Sequence, residues 1–78
     1  MNKNRLSRIE TLVCSLEDLR DELSMIKEEE QEYIDNAPDN LNCSARYEQA
    51  ESNVDYMDEA YDNLDSLIEN LREMIEEN

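Results

Sequence analysis

The residues best placed to do chemistry in this chain are carboxylates. Glu48, Glu51, Asp55, Asp58, Asp62, Asp65, Glu69, Glu73 and Glu76 recur at steps of three or four. On a helix that spacing gives one carboxylate per turn in a single stripe, with neighbours about 5 to 6 Å apart. A stripe of this kind attracts lysine and arginine, holds hard divalent cations only loosely, and repels nucleic acid and anionic lipid. Residues 28–65 hold thirteen acids against one cation, Arg46, a net charge of −12, whereas residues 1–27 balance five acids with five cations. The acid is therefore concentrated, and its placement is the strongest functional signal in the sequence.

Other chemistry is poorly provided for. The chain has no histidine, which removes the usual general base and the commonest metal ligand. It has no glycine, so neither a phosphate-cradling loop nor an EF-hand calcium loop can form. Di-iron bundles point carboxylates inward beside a Glu-x-x-His motif, and here the inward positions are apolar. Ser7, Ser15, Ser24, Ser44, Ser52 and Ser66 have no base to activate them, and neither Cys14 nor Cys43 lies in a cationic cluster that would favour a thiolate. No catalysis, cofactor or metal is expected. Of the four tyrosines, Tyr33, Tyr47 and Tyr61 fall on apolar seams and read as core. Tyr56, amid Asp55, Asp58 and Glu59, reads as a contact residue.

Two elements must carry these residues. Leu12, Leu16, Leu19, Leu23, Ile26, Glu30 and Tyr33 step by three and four, widened by Leu6, Ile9 and Val13. This predicts a helix over about 4–34. The segment DNAPDNLNCS brings Asn and Asp that bond their own backbone, the only proline, Pro38, and Ser44 as an N-cap, so a loop is predicted over about 35–43. Tyr47, Ala50, Val54, Met57, Tyr61, Leu64, Ile68, Leu71 and Ile75 then form a second seam, broadened by Ala60, Leu67 and Met74, on a helix over about 44–76. The fold class is all-α: a single domain, residues 1–78, folded as an antiparallel two-helix coiled-coil hairpin. With the turn centred near Asp39, paired residues have numbers totalling about 80, which sets Glu30 opposite Ala50 and brings Arg5 and Arg8 beside Glu73 and Glu76. The two cysteines then lie about 30 Å apart at 1.5 Å per residue, too far for a disulfide.

A 78-residue chain struggles to bury enough apolar surface alone, and the two stripes are broader than one hairpin covers. Dimerisation into a four-helix bundle is the expected remedy. The regular apolar spacing argues against disorder despite the high charge. No apolar run reaches membrane-spanning length and MNKNRLSRIE lacks a signal-peptide core, so a cytoplasmic protein without membrane contact is expected.

The run EEEQEYIDNAPDNL, followed by RYEQAE and then by acidic heptads, resembles small acidic helical-hairpin proteins of unknown function encoded by phages and conjugative elements of Gram-positive bacteria. The Gln-Glu-Tyr and Pro-Asp-Asn-Leu segments carry the specific part of that likeness, and no catalytic residue carries over. The resemblance implies a setting in which short acidic proteins act as inhibitors of host defence. The expected function is accordingly an anti-CRISPR or anti-restriction inhibitor whose acidic face imitates DNA. It would not bind nucleic acid itself, and its target would be a cationic host protein such as a CRISPR effector or a restriction enzyme. The expected contact residues are Glu48, Glu51, Asp55, Tyr56, Asp58, Glu59, Asp62, Asp65 and Glu69. The competing expectation is an oligomeric scaffold or antitoxin-like partner that binds through its apolar stripe.

Overall fold

A computed structural model describes residues 1–37 and 45–78. The expected loop about Pro38 and Asp39, the Ser44 cap and the Cys43 thiol lie outside the described residues. Helix α1 spans Lys3–Asp35 and helix α2 spans Ala45–Glu77, each 33 residues long. No strand is present among the described residues. Asn2 caps α1, its side chain accepting a hydrogen bond from the Arg5 backbone N–H at 2.8 Å. At the other end the Asn36 N–H donates to the Glu32 carbonyl at 2.9 Å. Neither helix has a basic residue in its last turn, so the acids there oppose the helix dipole instead of complementing it.

The helices pack side by side as a rod of 59 × 14 × 14 Å. Their antiparallel pairing is fixed by side chains that cross between them. Arg20 reaches Asp65 at 2.7 Å and Lys27 reaches Asp58 at 2.6 Å, so the two numbers total 85 in both pairs, a few residues beyond the expected 80. The free ends are closed by the N-terminal ammonium, which donates to the Asn78 side chain at 2.9 Å.

The face that α1 turns toward α2 differs from the expected one. Its buried or half-buried positions include Leu6, Ile9, Val13, Leu16, Arg20, Leu23, Lys27, Glu30 and Ile34, a heptad seam with two cations and one acid in it, flanked by the half-buried Glu17 and Ser24. Lettering inward positions a and d makes Leu6, Val13, Arg20, Lys27 and Ile34 the a residues. Leu12, Leu19, Ile26 and Tyr33, expected inside, occupy g positions and are 43% to 55% exposed. The physical reason lies on α2. Asp58 and Asp65 flank its seam at e positions and draw Lys27 and Arg20 inward, whose aliphatic stems then cover apolar surface while the charged heads pair. On α2 the expected seam is inward, with Ala50, Val54 and Ile68 buried. Ala60 and Leu67, expected to broaden it, are exposed.

Apolar burial is thus concentrated toward the two ends. Ile34, Ala50 and Val54 cluster where the end of α1 meets the start of α2, with Tyr47 packed on them, and Val13 and Ile68 are buried in the other half. Between them lies a polar waist. The Arg20 guanidinium sits 5.8 Å from the Tyr61 ring centroid, within cation–π range. Glu30, expected only to face Ala50 and water, accepts a hydrogen bond from the Asn53 amide at 3.1 Å.

The chain carries 22 acids against 7 cations, and three of those cations are held in cross-helix pairs. Screening should therefore relieve more repulsion than it weakens attraction. Raising sodium chloride from 20 to 500 mM is expected to raise the melting temperature, read by circular dichroism at fixed protein concentration. A fall would mean that the three pairs outweigh the excess negative charge.

Candidate functional site

The heptad lettering sorts the nine expected contact residues. The a residues of α2 are Tyr47, Val54, Tyr61, Ile68 and Ile75. Glu51, Asp58 and Asp65 are then e positions and Glu48, Asp55, Asp62 and Glu69 are b positions, so these seven share one edge of α2 over positions 48–69. At 1.5 Å per residue that edge is about 32 Å long. Glu59 points outward at an f position, and Tyr56, 69% exposed, sits at a c position on the far flank. Seven of the nine expected contact residues therefore lie on this edge, which Glu76, one heptad after Glu69, extends. Glu59 and Tyr56 lie off it, as does Glu73.

The same edge gathers residues from α1. Gln31, Ile34 and Asp35 line a shallow groove with Tyr47, Glu51, Val54 and Asp55, and Glu28 lies at the b position one heptad before Asp35. The acid near the loop is thus a surface shared by both helices, which reading α2 as an isolated stripe missed. The Tyr47 phenol registers it: burial first, then the charge and hydrogen bond of Glu51 and the charge of Asp35, push its pKa upward. Lys27 registers it too. Its hydrogen bond to Asp58 outweighs burial, and the charges of Asp58 and Glu28 add to holding the ammonium protonated.

Two of the seven carboxylates are already committed. Asp58 holds Lys27 and Asp65 holds Arg20. For Arg20, burial works against the charge, but the Asp65 hydrogen bond, with Tyr61, Asp21 and Asp65 nearby, raises its pKa on balance. Glu48, Glu51, Asp55, Asp62 and Glu69 make no ion pair among the described residues, and neither do Arg5 and Arg8, which were expected beside Glu73 and Glu76. Arg72 instead reaches Glu17 at 2.6 Å, and it shares a groove with the free, exposed Cys14.

The four aspartates of the edge therefore divide into two that hold the hairpin, Asp58 and Asp65, and two that make no ion pair among the described residues, Asp55 and Asp62. Asp58→Asn with Asp65→Asn is expected to lower the melting temperature by several degrees, because both cross-helix pairs lose their charge. Asp55→Asn with Asp62→Asn should leave it unchanged or raise it, since only like-charge repulsion is removed. Equal melting curves for the two double variants would show that the pairs contribute nothing to the hairpin.

Among the described residues no group of three or more acidic or cysteine side chains comes together to hold a metal ion, and no helix is long and apolar enough to cross a membrane. A scan against protein-family models, a search of curated proteins and a search of solved structures each find no match to this chain.

Proposed function

We propose that the protein is an inhibitor that acts in the cytoplasm by occupying a basic nucleic-acid-binding groove of a host defence protein, a CRISPR effector or a restriction enzyme, through the acidic edge of α2. The observation that supports this reading is the edge itself: five carboxylates without ion pairs among the described residues, joined by Glu28 and Asp35 of α1. Acid placed for solubility alone is normally interspersed with lysine and arranged in stabilising Glu-to-Lys pairs. Here like charges follow one another for six turns, and the pattern holds even at helix C-termini, where acid is unfavourable.

Geometry favours a groove built for nucleic acid. One carboxylate every three or four residues is one charge per about 5 Å of helix axis, comparable with one phosphate per 3.4 Å along a DNA strand. Lysine and arginine spaced to track phosphates would meet the edge at nearly every turn. The inhibitor requires neither an enzyme's chemistry nor a cofactor.

A second reading has an observation of its own. The exposed row Leu12, Leu19, Ile26 and Tyr33 favours an apolar contact, as a homodimer or as an antitoxin-like scaffold. We place the homodimer, a four-helix bundle, alongside the inhibitor reading, because the two use opposite edges.

The deciding experiment is capture from bacterial lysate at 50 and 500 mM salt, followed by competition against DNA on whatever protein is recovered. A partner held by the acidic edge should be released at high salt and should exchange for DNA. A partner that stays bound at 500 mM and ignores DNA would replace the inhibitor reading with the scaffold.

A further inference from the structure

We propose that a second copy of this chain covers the edge formed by Leu12, Leu19, Ile26 and Tyr33 of α1 with Ala60 and Leu67 of α2, the two hairpins running in opposite directions so that both acidic edges remain outside. This deepens the homodimer proposed above and rests on it. It does not depend on what the acidic edge binds.

The two rows lie at matching levels. Leu19 and Leu67 have numbers totalling 86, as do Ile26 and Ala60, close to the 85 of the ion pairs that fix the hairpin. They therefore form one continuous strip along the rod. A face 59 Å long and 14 Å wide offers about 800 Å², the share each partner contributes to a specific interface of standard size.

Charge then selects the occupant. Helix α2 has eleven acids in 33 residues, yet its rim beside the strip, Gln49, Tyr56, Asn63 and Asn70, carries none before Glu77 at the helix end, while the α1 rim holds Arg8, Ser15, Glu22 and Glu29. A helix one-third acidic that keeps this flank neutral is excluding charge from it. Neutral polar side chains and an exposed tyrosine are what an interface rim contains. An unrelated partner would need no neutrality from this chain if it brought cations of its own. A second copy brings the same excess of acid, so only a neutral, self-complementary strip lets two such chains approach.

Direction follows from the same charges. Hairpins aligned in the same direction would set two stretches of −12, residues 28–65, side by side. Reversed, each lies over the other's neutral residues 1–27 at the α1 side. The twofold axis then passes between Leu19 and Ile26 on α1 and between Ala60 and Leu67 on α2. The bulky Leu19 and Leu67 level rests on the smaller Ile26 and Ala60 level of the second copy, filling rather than crowding the layer. Asn63 meets its own copy near the axis. Glu22 does so on the α1 rim, where solvent screens the repulsion.

Sedimentation equilibrium at 100 μM should give twice the 9.2 kDa chain mass, with association tightening as salt screens the two chains' repulsion. Leu19→Lys and Leu67→Lys should each give a helical monomer. Lysine is chosen because lost association then cannot arise from added negative charge. In a Cys14→Ser, Cys43→Ser background, Asn63→Cys should cross-link to its copy with a short bis-maleimide, without altering the strip. A helical monomer at 100 μM for the unsubstituted chain would overturn the proposal. A dimer that survives both lysine variants would place the interface elsewhere, and an intact dimer without the Asn63→Cys cross-link would overturn the reversed arrangement. Salt separates this from the inhibitor reading, since it strengthens the dimer and releases a basic partner.

Discussion

Replacing Glu48 and Glu69 by glutamine and Asp55 and Asp62 by asparagine is expected to weaken binding to a basic partner on the order of 100-fold while leaving the hairpin folded. These four b-position side chains make no ion pair among the described residues, so no ion pair described in the hairpin is lost with their charge. Each faces outward, where a lysine or arginine of the partner would meet it. An exposed pair is worth about 0.2 to 1 kcal/mol, more once a groove closes over it, and four are lost together. Removing like charges along the helix should raise the melting temperature slightly. Asp18→Asn is the control, since it lies within residues 1–27, which are neutral overall, and at an outward f position of α1 away from the acidic edge. Titration calorimetry on the recovered partner, at 50 mM salt, measures the difference. Unchanged affinity in the four-site variant would end the inhibitor reading, and the melting curve would show that the variant was folded when tested.

Ile68→Asp is expected to unfold the protein. Ile68 is 3% exposed and, with Val13, is a buried residue of the half of the rod that holds the chain's two termini. The substitution deletes a buried side chain and leaves an unpaired carboxylate in its place, together about 4 kcal/mol or more. A chain of this size has a total stability of about 4 to 12 kcal/mol, and the polar waist at Arg20 and Lys27 leaves few neighbouring contacts in reserve. Ser66→Asp, two residues earlier on the outward face, should shift stability by no more than about 0.5 kcal/mol. Circular dichroism at 222 nm at one protein concentration separates them. A melting temperature preserved in Ile68→Asp would mean that α2 does not bury this position.

The sequence by itself determined the two helices, their lengths and the face of α2. The absence of glycine and the position of Pro38 left nothing to interrupt either helix, and Tyr47 to Ile75 gave a seam in which every inward residue is apolar. It also determined where the acid lies, because a carboxylate at every third or fourth residue must form a stripe on any helix. Only the tertiary structure decided which face of α1 meets α2. Two rows compete to pack beside Leu16 and Leu23, one through Leu12, Leu19, Ile26 and Tyr33 and one through Val13, Arg20, Lys27 and Ile34, and hydropathy alone favoured the row without cations. What reverses the choice is pairing across the helices. Asp58 and Asp65 stand where they can hold Lys27 and Arg20 at 2.6 and 2.7 Å, and a rotation that exposed those cations would forfeit both contacts. That rotation divides the acidic stripe into carboxylates that hold the fold and carboxylates that face outward. It also moves four large apolar side chains to the opposite edge. Such consequences arise from contacts between residues 31 to 45 positions apart, which no local pattern of hydrophobicity or charge records.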